Sequence, residues 1–281
     1  MAAPIEGLLP AKALLHPAFD PLRPWLSHLG ERPGFIELNA LAVDAVAGPA
    51  TSNGQPIVFC EPPAVVSGHY EQKIFFTGRV DTRPDNQHDL FNALAWLAFP
   101  RTKAAINARH VERIAVEGSV RGPLRDLLTL ADEGGVIVAC SDRSVKEIET
   151  LIRGFRWQEL FWERRAQVLE ETRFVLMGHN AYEKALAPYP GITCKALFVA
   201  TPRELLGGPC DTLVRCLDGR AAAWIQSLPD SAAPRKMAPL PVFGYPGWLA
   251  QSADAEFYRD RRWFRVAPLS RNSADKLEPR T

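Results

Sequence analysis

The chain has no cysteine pair at metal-site or redox-motif spacing. Its five cysteines, Cys60, Cys140, Cys194, Cys210 and Cys216, are scattered and odd in number. None forms C-x-x-C, so the sequence supports neither a zinc knuckle nor a disulfide framework, and a reducing compartment is expected. Also missing is any apolar run near the roughly 18 residues of a membrane span. The opening stretch M-A-A-P-I-E-G-L-L-P-A-K lacks the basic-then-apolar pattern of a secretory leader. There is no internal repeat and no low-complexity tract. The net charge is only +1, from 33 Lys and Arg against 32 Asp and Glu. That balance argues against a general nucleic-acid or membrane-surface binder, though not against a local basic patch. A soluble, cytoplasmic protein is expected.

What the chain does have is a large apolar fraction, 47% of 281 residues, enough for a sizeable core. The pattern predicts an α+β fold, mostly helical, with a small antiparallel sheet or hairpin. Helices are expected near Pro21–Leu29, over Phe35–Ala47, over Tyr70–Thr77 with Gly78 as the stop, and from Asp85 or Asn86 as a cap. A further helix starts at Pro100, since proline fits the first turn. Leu127–Ala131 and Val136–Cys140 flank D-E-G-G and read as a hairpin. Helices follow near Ser144–Arg153, Trp157–Glu171, Val175–Ala187 and Asp211–Leu228, with strands at Ile57–Cys60 and Thr193–Ala200. Residues 1–228 read as one domain. Residues 229–281 are rich in proline and aromatics (P-L-P-V-F-G-Y-P-G-W-L), too apolar for a flexible linker, and read as an extended arm packed back on the domain.

The stretch from Asp85 to His110 carries the strongest functional signal. At about 100° per residue, Leu90, Leu94 and Leu97 form one apolar stripe, and His88, Asn92, Ala95 and Phe99 fall opposite, flanked by Phe91 and Trp96. A helix apolar nearly all round is buried, so His88 and Asn92 are expected inside. In the next helix Lys103, Asn107 and His110 share a stripe with Ile106, Val111 and Ile114, while Ala105, Arg109 and Glu112 read as solvated. Folding back at Pro100 turns both polar stripes toward one cavity. A third helix places His179 and Glu183 four residues apart on one face.

Buried polar groups need partners, and these types also suit chemistry. His88 can act as a general base near neutral pH, and Lys103 can hold a phosphate or a developing anion. Asn92 and Asn107 can orient a water, a substrate or the histidines. His110, His179 and Glu183 carry the donor types of a catalytic site for a divalent metal, zinc, manganese or iron, with an open position. Metal-assisted hydrolysis of a phosphoester or other small-molecule substrate is one reading. The other is a non-catalytic module, for protein interaction or ligand binding, in which the polar cluster holds the fold together. The turn Asp132-Glu133 reads as hairpin chemistry, not as a ligand pair. Glu71-x-Lys73 has the spacing of a nuclease fragment but falls on a predicted helix. His16, His28 and His69 have no assigned role.

The segments Y-E-Q-K-I-F-F-T-G-R-V, N-Q-H-D-L-F-N-A-L-A-W-L-A-F-P-R-T-K-A-A-I-N-A-R-H, G-H-N-A-Y-E-K and P-L-P-V-F-G-Y-P-G-W resemble a proteobacterial family catalogued as domain of unknown function 3025, over roughly Ile57 to Arg265. The resemblance implies a bacterial setting and no particular activity. The chain departs from the family pattern at Asp81, where proline is expected, and at Gln87, where tryptophan is expected. H-D-L-F-N-A-L-A-W-L with the following Lys103 is also similar to the D-x-x-N-L-x-x-L…K stretch of HNH-type endonucleases, which implies phosphodiester chemistry. In those enzymes a hairpin carries the base histidine, whereas His88 sits at a helix start.

Overall fold

Prolines break the start of the chain into short turns. The structure, a computed structural model, describes residues 8–45, 48–64, 68–118 and 120–267. Helices α1 (Ala11–Leu14) and α2 (Arg23–Leu26) flank a 3-10 segment at Pro17–Leu22. The helix expected at Pro21–Leu29 is thus two short pieces, because Pro21 and Pro24 remove amide donors. Helix α3 (Phe35–Asp44) leads to strand β1 (Val58–Cys60), and residues 46 and 47 of the expected helix lie outside the described residues. Helix α4 (Tyr70–Thr77) ends at Gly78, whose φ of 69° is the left-handed stop that the sequence predicts. Strand β2 (Arg79–Asp81) then pairs in parallel with β1.

Helix α5 (Gln87–Ala98) is capped by Asn86, which accepts from the Asp89 amide at 2.9 Å. Ten of its twelve residues are buried. Helix α6 (Pro100–Glu117) begins at its proline. Its first amides are held from outside the helix, since Asp218 accepts from Thr102 N at 2.8 Å and Arg101 N at 3.1 Å. A carboxylate there satisfies orphan donors and complements the helix dipole. Ala105, read as solvated, is buried on α6 together with Ala104 and Ile106.

The hairpin expected over Leu127–Cys140 does not form. Pro123–Gly134 is helix α7, and the chain passes directly into strand β3 (Gly135–Cys140). Leu124, Leu127, Leu128 and Ala131 recur at helical spacing and are fully buried. The helix therefore runs through Asp132 and Glu133 to the glycines. After α8 (Val145–Arg153), the expected helix Trp157–Glu171 divides into a π-helical turn at Glu159–Glu163 and α9 (Arg165–Glu171). The helix expected from Val175 starts later: Thr172–Leu176 is strand β4, and α10 is His179–Ala185. The short apolar run Phe174–Met177 fits either state by periodicity, and pairing with β3 decides it. Strand β5 (Cys194–Ala200), α11 (Arg203–Leu206) and α12 (Cys210–Ser227) complete the body.

The main sheet has the order β4-β3-β5-β6, with β6 at Ala238–Leu240. It is mixed: β3 and β5 are parallel, while β4 and β6 run antiparallel to their neighbours. All six residues of β3 are buried, as expected for a central strand covered on both faces. The segment after Pro229 contributes β6 and four 3-10 turns instead of being extended throughout. It lies against the body, where Tyr245 donates to Thr172 O at 3.0 Å. His16 Nδ1 accepts from Ala18 N, so its other ring nitrogen carries the proton and donates to Trp248 O at 2.6 Å.

Candidate active site

Helices α4, α5, α6, α7 and α10 enclose a cavity of about 460 Å³, a small-molecule size. His88, Asn92, Lys103, Asn107, His110 and His179 all line it. The two polar stripes on either side of Pro100 thus face one hollow. Helix α7 supplies the opposite wall through Arg125, Thr129, Asp132 and Glu133, which fall at i, i+4, i+7 and i+8 on one face.

At one end of this hollow two imidazoles meet. Nε2 of His88 and Nε2 of His179 stand 3.1 Å apart, and Glu133 Oε1 is 3.6 Å from the latter. One donor atom from each of these three residues falls within 4.8 Å of the others. Behind the rings sit carboxylates: His88 Nδ1 lies 3.2 Å from Glu183 Oε2, and His179 Nδ1 lies 3.6 Å from Asp132 Oδ2. The Glu183 contact favours the His88 tautomer with its proton on Nδ1, whereas His179 Nδ1 is buried with no hydrogen-bond partner among the described residues. In the absence of an ion one Nε2 donates to the other across this 3.1 Å contact. Of the three expected ligands, His179 belongs to this group. Glu183 instead braces His88, and His110 lies further along the wall, among Asp132, Arg125 and Arg121.

The packing that creates the pair is local. Tyr182 donates to Leu176 O at 2.5 Å and stacks on Phe91, which fixes α10 against α5. Gly178 brings α10 against the end of α7. A Cβ on Gly178 would stand 2.5 Å from Glu133 O and 2.5 Å from Gly135 N, both backbone atoms that cannot swing away. Its φ of −70° is ordinary, so the close approach alone requires glycine. Gly178→Ala is expected to cost about 2 kcal/mol and to part His179 from Glu133. Urea denaturation and metal titration of the variant check both effects.

Lys103 links the ends of the cavity. Its ammonium donates to Asp132 Oδ1 at 2.5 Å and Asn92 Oδ1 at 2.8 Å, and lies over the Trp96 ring. Burial would raise the Asp132 carboxyl, but the Lys103 ammonium and His179 outweigh it and hold it below the usual range. Asn107 Nδ2 donates to both Glu71 O and Glu71 Oε2, at 2.9 and 2.7 Å. The backbone carbonyl fixes the amide's orientation, leaving Asn107 Oδ1 buried without a partner among the described residues. Burial lifts the Glu71 carboxyl above its ordinary value, against that hydrogen bond. It also raises the Tyr70 hydroxyl, which accepts from Asn92.

Burial pushes the ring of His179 down to about 4, with Asp132 opposing. His110 is likewise pushed down to about 4 by burial. Below its unfolded value of 6.5, the unfolded chain takes up a proton that folded His110 refuses. The stability this neutral ring contributes is whole above pH 6.5 and drains away as the pH falls toward about 4. The loss is on the order of 3 kcal/mol. Urea midpoints of metal-free protein between pH 7.5 and 4.5 measure it, and His110→Asn is expected to reduce the acid sensitivity by one proton's worth.

Sequence reasoning missed Asp132 and Glu133 because the D-E-G-G reading placed them in a turn. The helical spacing Leu124-Leu127-Leu128-Ala131 was the signal that places them on a wall. It noted Glu71 in the Glu71-x-Lys73 spacing but gave it no role, and it missed Arg121 and Arg125, for which no local pattern points inward. His88 falls in the first turn of α5, and the preceding strand β2 pairs in parallel with β1. The hairpin of the HNH layout therefore has no counterpart before it.

Fold and cavity together define a mostly helical α+β protein with a polar, small-molecule-sized pocket. The family model described as Protein of unknown function (DUF3025) matches residues 58–267, most of the chain, and the chain belongs to that family. The matched stretch contains every residue of the histidine–carboxylate group. No curated protein and no solved structure matches the chain. No helix among the described residues is long and apolar enough to cross a membrane.

Proposed function

We propose that this protein is a metal-dependent hydrolase of phosphoesters, with a divalent ion held by His88, His179 and Glu133. The observation that carries this reading is the pair of Nε2 atoms facing each other at 3.1 Å with a carboxylate beside them. Two nitrogens bound to one tetrahedral zinc at 2.0–2.1 Å stand about 3.3 Å apart, so the spacing fits a shared ion. Carboxylates behind both rings are the usual partners of metal-bound histidine. Two histidines and a glutamate leave one coordination position open, which is the hydrolytic pattern. A bound ion would supply an acidified water and polarise the scissile group.

The chain's own groups do the rest. Asp132 and Glu183 orient the rings. Lys103, steered by Asn92, places positive charge where an oxyanion develops. Glu71, its carboxyl raised by burial, is suited to give a proton to a leaving group. The phosphoester class draws on Lys103 and the arginines in the cavity wall. The five cysteines, all free thiols, accord with a bacterial cytoplasmic setting.

The test is turnover of p-nitrophenyl phosphate and bis(p-nitrophenyl) phosphate by metal-stripped protein after adding zinc, manganese or iron(II). Hydrolysis that needs the metal and vanishes in His88→Ala and Glu133→Gln supports the reading. Turnover independent of both residues overturns it.

A further inference from the structure

The end of the cavity away from the histidines is built differently. Lys103 and His110 lie seven residues apart on α6, and Arg125 and Asp132 lie seven apart on α7. Each interval is about 10 Å along a helix axis. The Lys103–Asp132 pair joins the two helices at the histidine end. The short link between α6 and α7 returns the chain antiparallel. Arg125 therefore stands toward His110 at the other end, and Arg121, in the link before α7, lines the same hollow.

Arg125 is 93% buried, with 7% of its surface exposed. Its Nη1 donates to Gly118 O at 3.3 Å, and its Nε has no partner among the described residues. The carboxylates around this end are engaged elsewhere: Glu71, which lines the cavity, accepts from Asn107 at 2.7 Å. Glu117 is held by Arg113 at 3.0 Å and by the Gly122 amide at 2.9 Å, and lies 3.9 Å from Arg125. Asp126 lies 3.9 Å from Arg121 on the exposed side. Neither lines the cavity. A guanidinium buried without a full set of acceptors, beside a second guanidinium that shares the hollow, has the donor geometry for an oxyanion. On the α6 wall of the same cavity, Asn107 Oδ1, unpartnered among the described residues, calls for a donor, which a sugar or alcohol hydroxyl supplies.

We propose that this end is a distal phosphate subsite. The substrate is then an elongated phosphorylated small molecule, whose distal phosphate sits at Arg125 and Arg121 about two helical turns from the scissile bond. A hydroxyl near that phosphate donates to Asn107. This deepens the hydrolase reading, and the phosphate subsite can be tested without it.

The experiment is calorimetric titration of inorganic phosphate into full-length protein stripped of metal with chelator. Wild-type protein is expected to bind one phosphate. Arg125→Gln should weaken binding about tenfold or more, in line with loss of a charge-assisted hydrogen bond. Arg121→Gln changes a half-exposed side chain and leaves the core untouched, so it carries the test should Arg125→Gln fail to fold. It is expected to weaken binding several-fold. Arg215→Gln, at an exposed arginine on α12 outside the cavity, should leave phosphate binding within twofold of wild type. No binding to wild-type protein, binding unaffected by both cavity-arginine substitutions, or binding weakened as much in Arg215→Gln overturns the subsite. Succinate bound as tightly as phosphate overturns the assignment to phosphate. Because metal is absent, none of these results depends on the hydrolase reading.

Discussion

His179→Ala is expected to abolish the binding of one zinc equivalent that metal-stripped wild-type protein shows by calorimetry. Nε2 of His179 lies 3.1 Å from His88 Nε2 and 3.6 Å from Glu133 Oε1, and no other imidazole among the described residues joins this group. Removing it leaves two donors from different helices. The loss should exceed the 10–100-fold typical when a residue that only orients a metal ligand is removed. Glu183→Gln, which removes the charge behind His88, is expected to fall within that 10–100-fold range. His110→Ala is expected to retain the metal, and so separates the geometric ligand set from the one that the sequence suggests. Equal affinity in wild type and His179→Ala would sink the site.

Lys103→Met should destabilise the protein by about 3–5 kcal/mol, the cost of stranding a buried carboxylate. The ammonium is 6% exposed and is the cation hydrogen-bonded to Asp132. Without it, Asp132 and Asn92 Oδ1 both lose a donor, and nothing in the wall replaces it. Lys103→Met/Asp132→Leu is expected to recover much of the loss, since an apolar pair of similar size no longer buries a charge. Urea midpoints at pH 7.5 of the two single variants and the double variant give the coupling. A single-variant cost below about 1 kcal/mol is the value of an exposed pair, and would mean that the ammonium reaches water along its stem.

The two predictions probe opposite faces of one wall. Asp132 and Glu133 are adjacent on α7, yet Asp132 faces Lys103 and the rear of His179, while Glu133 faces the Nε2 atoms. Metal loss without unfolding in His179→Ala, and unfolding in Lys103→Met, would show that the wall combines a functional contact with a structural one.

Much of this was legible along the chain because it depends on neighbours in sequence. Asn86 as cap, Pro100 as helix start and Gly78 as stop follow from local backbone sterics and donor counting. The periodicity of α5 and α6 fixed which sides of those helices carry His88, Asn92, Lys103, Asn107 and His110. The convergence of the site is another matter. His88, Glu133 and His179 come from three helices, brought together by Tyr182 packing on Phe91 and by Gly178 touching the Glu133 backbone. Periodicity gives the direction a side chain faces but not which distant element faces it. Only tertiary packing could decide that Glu133, not His110, completes the pair, because the choice rests on contacts between residues more than forty positions apart.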